Sequence, residues 1–419
     1  MNREIIIKIA TTNEKSVKHI PYSDPEILWQ WSNISNEVPD DIVVEILSRL
    51  PVKSVCRFKC ISKIWCNRLS ESQFVNLHLK ETIKANRLTY TLYDNYTFPR
   101  RLELDYESLV NGREAKPKAD ASLFVPDNGD NLTGRWMQVW GSCNGLLCIF
   151  SEPDALVLAN PSTRETKTIF FRYDLKSELF STSPNTDTRG GGFGYDDLNN
   201  DHKVVKVNRK DFSVDVYSLK KDSWSCNIGK LPENLEHGDY ISLTADRSAY
   251  MNGAIHWIGY KMVHRHLFVT VFDLNKEKFF HIPTPIRYVD FIGYDIHSVE
   301  GCLCITPRYS YKPEYDLWVM EKYGVKESWK NVKLSFSYSH QLVPLFYPSS
   351  EEALGLTDGR LFLYNNRNGS LIKEVNIGPI PPGHVEYFSI GLNKAFTYVE
   401  SLVSLGSRQS SKSRKRRKD

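Results

Sequence analysis

The chain has 419 residues, 41% hydrophobic and 25% charged, an ordinary composition for a soluble globular protein with room for two domains. Its net charge of +4 comes from the C-terminal end, where Arg408, Lys412, Arg414, Lys415, Arg416, Arg417 and Lys418 stand against the single acid Asp419. The rest is close to neutral, which removes the case for a nucleic-acid-binding surface on the body, and the start M-N-R-E-I-I-I-K-I-A reads as neither a signal nor a membrane segment.

Residues 1–37 show no sustained periodicity and are expected to be a flexible leader. From Val38 the pattern turns helical. Ile42, Ile46 and Leu50 recur at i, i+4, i+8, with Val43 and Leu47 widening the stripe. Asp40 and Asp41 sit in the first turn, where the helix dipole favours acids, and Pro51 ends the helix. A second short helix carries Val52, Val55 and Phe58. Ser62 is a plausible N-cap for a third, with Ile64, Trp65, Arg68 and Leu69. Three helices in about 32 residues are too small a unit to hide all these apolar side chains among themselves. A partner should cover part of the surface.

These residues carry a resemblance. V-P-D-D-I-V-V-E-I-L-S-R-L-P-V-K-S-V-C-R-F-K-C-I-S-K-I-W, from Val38 to Trp65, resembles the plant form of the F-box, and the trailing F-V-N-L-H-L of Phe74 to Leu79 is similar too. Val38, Ile42 and Ile61 depart from the usual residues but stay apolar. The resemblance implies binding to a Skp-type adaptor and, through it, to a cullin–RING ubiquitin ligase. Carried over, Val38, Pro39, Ile42, Ile46, Leu50, Pro51, Val55, Ile61 and Trp65 would face the adaptor or support that face, with Leu47 and Phe58 internal.

After about residue 80 the apolar period alternates, as strands require. Leu88–Tyr93 and Leu102–Tyr106 read as strands and candidates for a first blade; residues 111–135 read as a long loop. From Trp136 a loose repeat begins, anchored on Gly145, Gly194, Gly253, Gly301 and Gly359 at spacings of 49, 59, 48 and 58. A period near 50 with several short strands per unit is a kelch-like propeller signature. Each glycine is expected at a tight turn before a strand, with an aromatic such as Trp224, Phe279 or Trp329 closing the unit. Five or six degenerate repeats leave ring closure open, and a β-sandwich or irregular sheet stack remains the alternative. C-N-G-L-L-C (143–148), N-P-S-T-R (160–164), G-F-G-Y-D (192–196), N-G-A-I-H-W (252–257) and Y-V-E-S-L-V-S-L (398–405) resemble the F-box-associated domain of plant F-box proteins, whether of the S-locus type or the larger general group.

The expected fold is thus a small all-α F-box of three short helices at 38–80, connecting strands at 81–135, and a large all-β kelch-like propeller domain at 136–405. A basic, disordered tail follows at 406–419. Its run Arg414, Lys415, Arg416, Arg417 and Lys418 has the composition of a nuclear import signal or of a solvated tail, so the expected location is cytoplasmic, nuclear or both.

No motif carries catalysis. G-S-C-N-G (141–145) imitates a nucleophile elbow at Cys143, but a strand follows where a helix is required. R-G-G-G-F-G (189–194) lacks the Lys-Ser/Thr of a phosphate loop and reads as a flexible loop entering a blade. His264-x-His266 and Cys302-x-Cys304 each lack further ligands for a metal, and the eight cysteines have no disulfide spacing. No cofactor, metal or catalytic residue is expected. The resemblance implies a non-catalytic receptor subunit of a ubiquitin ligase whose β domain selects a protein target, with no membrane and no direct nucleic acid as partners. The loops 111–135, 172–192, 231–249 and 308–316 are candidates for target contact. The alternatives are an F-box scaffold acting outside ubiquitin transfer, or a propeller-type lectin or enzyme carrying an F-box.

Overall fold

The computed structural model describes residues 40–85, 89–93, 100–103, 137–151, 155–171, 191–207, 213–226, 241–243, 248–261, 266–287, 293–308, 315–334, 343–346, 352–357, 360–365, 367–376 and 394–406. The helical part comprises α1 (Asp40–Ser48), α2 (Val52–Lys59), α3 (Lys63–Arg68) and α4 (Ser72–Lys84). The sequence pattern gives three short helices; a fourth is present because Phe74, His78 and Leu79 share a buried stripe on α4 against the first three. Pro51 stands at the N-cap of α2, where its missing N–H and fixed φ prevent α1 from running on. Ser62 caps α3, its Oγ accepting the Trp65 amide at 3.2 Å, as its position before the apolar run predicts.

The strands form six antiparallel sheets. The first blade holds β3 (Met137–Cys143), β4 (Leu146–Ser151), β5 (Ala155–Asn160) and β6 (Glu165–Phe170). The second holds β7 (Gly191–Asp196), β8 (Asp201–Val207), β9 (Val214–Ser218) and β10 (Ser223–Ser225). In the third, β11 (Ile241–Leu243) and β12 (Ala249–Met251) both pair with β13 (Ala254–Lys261), followed by β14 (His266–Asp273) and β15 (Lys278–Arg287). The fourth holds β16 (Gly293–Val299), β17 (Cys302–Arg308), β18 (Tyr315–Met320) and β19 (Trp329–Leu334); the fifth holds β20 (Val343–Phe346), β21 (Glu352–Thr357), β22 (Arg360–Asn365) and β23 (Leu371–Asn376).

The sixth sheet joins the two ends of the β domain. Its innermost strand, β24 (Lys394–Tyr398), pairs with β1 (Thr89–Tyr93), and β1 with β2 (Arg100–Glu103). The innermost strands touch in a cycle: β3 with β7, β7 with β12 and β13, these with β16, then β20, β24 and back to β3. Among the described residues the ring is closed and has six blades, so the sandwich alternative falls. Closure by strands from both ends removes the open edge that a linear stack would leave.

The core is divided into layers between blades rather than gathered in one place. Trp140, Phe150 and Phe193 lie between the first and second blades, and Val205, Val216 and Trp257 between the second and third. Ile258, Tyr294 and Leu303 lie between the third and fourth, and Leu317, Leu334 and Tyr364 between the fourth and fifth. Tyr398 meets Val139 and Leu147 where the ring closes. Strands covered on both faces need apolar residues in sequence rather than alternation, which is why Leu146 to Phe150 is a continuous buried run. Outer-strand tryptophans bind two of the blades to the one before: Trp224 Nε1 donates to Phe170 O at 3.2 Å and Trp329 Nε1 to Pro283 O at 3.3 Å.

The repeat glycines divide into two kinds. Asn144-Gly145, Asn252-Gly253 and Glu300-Gly301 all have positive φ at both positions, the two-residue hairpin turn between the first and second strands of a blade. Gly194 is instead inside β7, and Gly359 falls between β21 and β22, the second and third strands of their blade, itself outside the described residues. The R-G-G-G-F-G stretch is likewise corrected: from Gly191 it is the inner strand β7, not a flexible loop. A Cβ at Gly191 would stand 2.2 Å from the Trp140 ring, and one at Gly194 2.3 Å from Tyr250. Glycine is required there because neighbouring blades lie directly on the strand.

Candidate functional site

The helical unit has a buried core yet leaves several large apolar side chains uncovered within about 45 residues of chain. Val43 and Leu47 of α1, Val52, Val55 and Phe58 of α2, and Leu69 and Phe74 form its core. His78 Nε2 donates to Leu50 O at 2.8 Å, tying α4 across the α1–α2 connection. Arg68 pairs with Asp40 from α3 to α1, and its guanidinium lies 5.8 Å from the Trp65 ring centroid. The exposed pairs Arg49–Glu45 and Lys84–Glu81 add little stability, although the hydrogen bond from Lys84 holds the Glu81 carboxyl below its ordinary range.

The stripe on α1 is split by this packing. Val43 and Leu47 point inward, while Ile42 is 43% exposed and Ile46 half-buried. Leu50, Ile61 and Trp65 are half-buried on the rim of the core, and Pro51 is exposed. Val55 is fully buried, so of the two roles anticipated for it only support from within is open. Val38 and Pro39 lie outside the described residues, as do Arg414, Lys415, Arg416, Arg417 and Lys418. Ile64 is 72% exposed on α3, and Leu77 and Ile83 are exposed on α4; none of the three is among the residues expected to face an adaptor. Ile64 is offset from Trp65 and Leu69, whose i, i+4 spacing marks the inward face of α3, and that offset is readable in the sequence. Leu77 and Ile83 needed the fourth helix.

The unit sits on a definite side of the ring. Antiparallel order puts the first and third connections of every four-stranded blade on one face, including the turns after β3 and β5. The chain from Val399 to Gly406 crosses that face at the first blade, and Leu402 enters the helical core. On the opposite face β6 ends and β7 begins, flanking residues 172–190, and β10 and β11 flank 227–240. The loop candidates 111–135, 172–192, 231–249 and 308–316 lie mostly outside the described residues; apart from Ser248, which precedes β12, their described parts belong to strands β7, β11, β12, β17 and β18.

The motifs that imitate chemistry have structural roles. Cys143 is buried at the end of β3 and burial pushes its thiol far above the ordinary range, the opposite of what activates a nucleophile. His266 is exposed at the start of β14 and His264 is outside the described residues. Cys302 and Cys304 share β17, with Cys304 fully buried, and among the described residues no group of three or more His, Cys, Asp or Glu could hold a metal ion.

Comparison with known proteins fits this division. Residues 36–76 match the F-box domain model, and residues 122–405 match the model of the F-box associated beta propeller domain. An F-box/kelch-repeat protein of Arabidopsis thaliana is 28% identical over 345 residues, covering 80% of this chain and 89% of the relative. The F-box protein CPR1 of the same plant is 28% identical over 340 residues, covering 73% of this chain and 76% of its own length.

Proposed function

This chain belongs to the F-box proteins with an F-box associated beta propeller domain, and from that premise we propose that it is the target-recognition subunit of a Skp–cullin–F-box ubiquitin ligase. The F-box takes the Skp-type adaptor, and the propeller takes a protein target for ubiquitination and degradation. The observation that carries this reading is a helical unit with a buried core that still leaves Ile42, Ile64, Leu77 and Ile83 exposed. Its contribution to rate is proximity: a target held beside the ubiquitin-charged enzyme reacts as an effectively intramolecular partner. The chain makes no bond itself. It works in the cytoplasm, the nucleus or both, with the basic tail as its import element.

The test uses the full chain and a purified Skp-type adaptor. Ile64 is exposed, so Ile64→Asp leaves the fold intact, and combined with Trp65→Ala it removes an exposed apolar side chain and its half-buried neighbour. Affinity should fall by about thirtyfold or more, the scale of an interface hot spot. Undiminished capture by the double variant, or no capture by the unmodified chain, would sink the reading.

A further inference from the structure

The C-terminal segment Val399–Gly406 does more than end the propeller. Successive residues face opposite ways, as extended chain requires. Leu402, 2% exposed, packs among Val43, Leu47, Val52, Val55, Phe58, Leu69 and Phe74 of the F-box. Val403 and Leu405 pack instead with Trp140, Leu146 and Leu158 of the first blade. Ser401 is fully buried and lies against Gly145, where a Cβ would stand 2.3 Å from the Ser401 Oγ.

This segment is in no sheet, and side chains of the first blade satisfy its backbone. Asn160 Nδ2 donates to Ser401 O at 3.1 Å and to Val403 O at 2.8 Å. Glu165 Oε2 accepts the Leu405 amide at 2.9 Å and the Ser404 hydroxyl at 2.8 Å. Buried backbone groups held by a buried asparagine and a carboxylate make a fixed joint rather than a loose linker. Helix α2 lies close by: the carboxylates of Glu165 and Glu400 add to the burial that raises the Cys56 thiol.

We propose that Val399–Gly406 is a strap that completes the F-box core with Leu402 and locks the F-box onto the first blade. The F-box is then not an independent module on a flexible tether. Its helices reach full order only when the last strand, β24, has closed the ring and delivered Leu402. An incompletely synthesised or C-terminally clipped chain would lack an ordered F-box, and in the finished protein the adaptor-facing helices and the propeller hold one orientation. The consequence for ligase entry rests on the function proposed above; the strap itself does not.

The experiment separates the two. A protease site is placed between Lys84 and Thr89 of the full chain, and the cut protein is run on size exclusion beside Leu402→Asp, Leu402→Met and a chain ending at Gly406. The cut fragments of the unmodified chain, of Leu402→Met and of the chain ending at Gly406 should stay together. Those of Leu402→Asp should separate. In uncut Leu402→Asp, amide exchange in α1 to α4 should be about tenfold faster or more, while exchange in β3 to β23 is unchanged. Separation of the unmodified fragments, or unchanged exchange in α1 to α4 of Leu402→Asp, would overturn the strap. Adaptor capture is measured on the same samples. Loss of capture in Leu402→Asp extends the strap to ligase entry. Fragments that behave as expected in a chain that never captures adaptor would leave the strap standing and remove the ligase reading.

Discussion

Replacing Lys203 with Met is the sharpest test of how the blades are held together. Lys203, on β8 of the second blade, places Nζ 2.9 Å from Asp196 Oδ2 and 2.9 Å from Glu277 Oε1, and donates to Leu274 O at 2.7 Å. Glu277 and Leu274 belong to the turn between β14 and β15, so one ammonium clamps the second blade to the third. The Asp196 side chain is 0% exposed and that of Lys203 is 9% exposed. Met keeps the stem and removes the charge, which leaves the Asp196 carboxylate buried with only the Asn199 amide and side chain as donors, at 3.1 and 2.8 Å. Removing one partner of a buried pair costs about 3–5 kcal/mol. Thermal unfolding followed by circular dichroism at neutral pH should register that loss, with faster amide exchange in β7 and β8. Pairing Lys203→Met with Asp196→Asn should restore most of it, because no charge is then stranded.

The signs with pH follow from the shifts. Burial opposes the charge on Asp196, but hydrogen bonds from Asn199 and Lys203 outweigh it and hold the carboxyl below its ordinary 3.8. That stability is present above about pH 4 and is lost as pH falls through the lowered value. Burial opposes the charge on Lys203 as well, but Asp196 and Glu277 outweigh it and raise the ammonium above 10.5. Its share is present below that value and is lost only as pH rises through the raised one. A single variant that costs less than about 1 kcal/mol, or a double variant no better than the single, would refute the clamp.

Other outcomes follow from the same structure. Gly191→Ala sets a methyl against the rigid Trp140 ring and should cost about 3 kcal/mol or more; Gly253→Ala, at φ +69° with nothing within 4 Å, should cost only about 1–2 kcal/mol of left-handed strain. Equal melting shifts for the two would count against close blade approach. Acid should weaken the ring through two buried histidines. Burial pushes His202 down to about 3 and His256 down to about 4, so stability is whole above the ordinary 6.5 and drains away as pH falls from there to those values. His202→Phe should flatten that part of the profile, and an unchanged profile would exclude His202 from it. A reporter carrying residues 407–419 should accumulate in the nucleus; even distribution would remove the tail as an import element.

Much of this was legible in the chain because its signals are local. The Ser62 cap and Pro51 depend on neighbouring residues alone, and both fall where helix physics puts them. The Asn144-Gly145 and Asn252-Gly253 turns are readable for the same reason. Errors came where a residue's role is set by something distant. Glycines 191 to 194 looked like a mobile loop because the Trp140 and Tyr250 rings that need them belong to other blades. The sequence pattern does not mark helix α4, because its stripe mixes His78 with apolar residues, and His78 belongs inside only once Leu50 O is placed beside it.

The sequence by itself therefore determined most of the elements and the family they compose: helix caps, hairpin turns and buried apolar runs act over a few residues and leave local marks. Tertiary structure alone decided that the ring closes at six blades, that β24 pairs with β1 across some 300 residues of chain, and that Leu402 finishes the F-box. The physical reason is that each blade, and the helical unit with them, is apolar on surfaces it cannot cover from its own segment. What covers those surfaces is fixed by contacts between distant parts of the chain, and such contacts leave no period in the sequence.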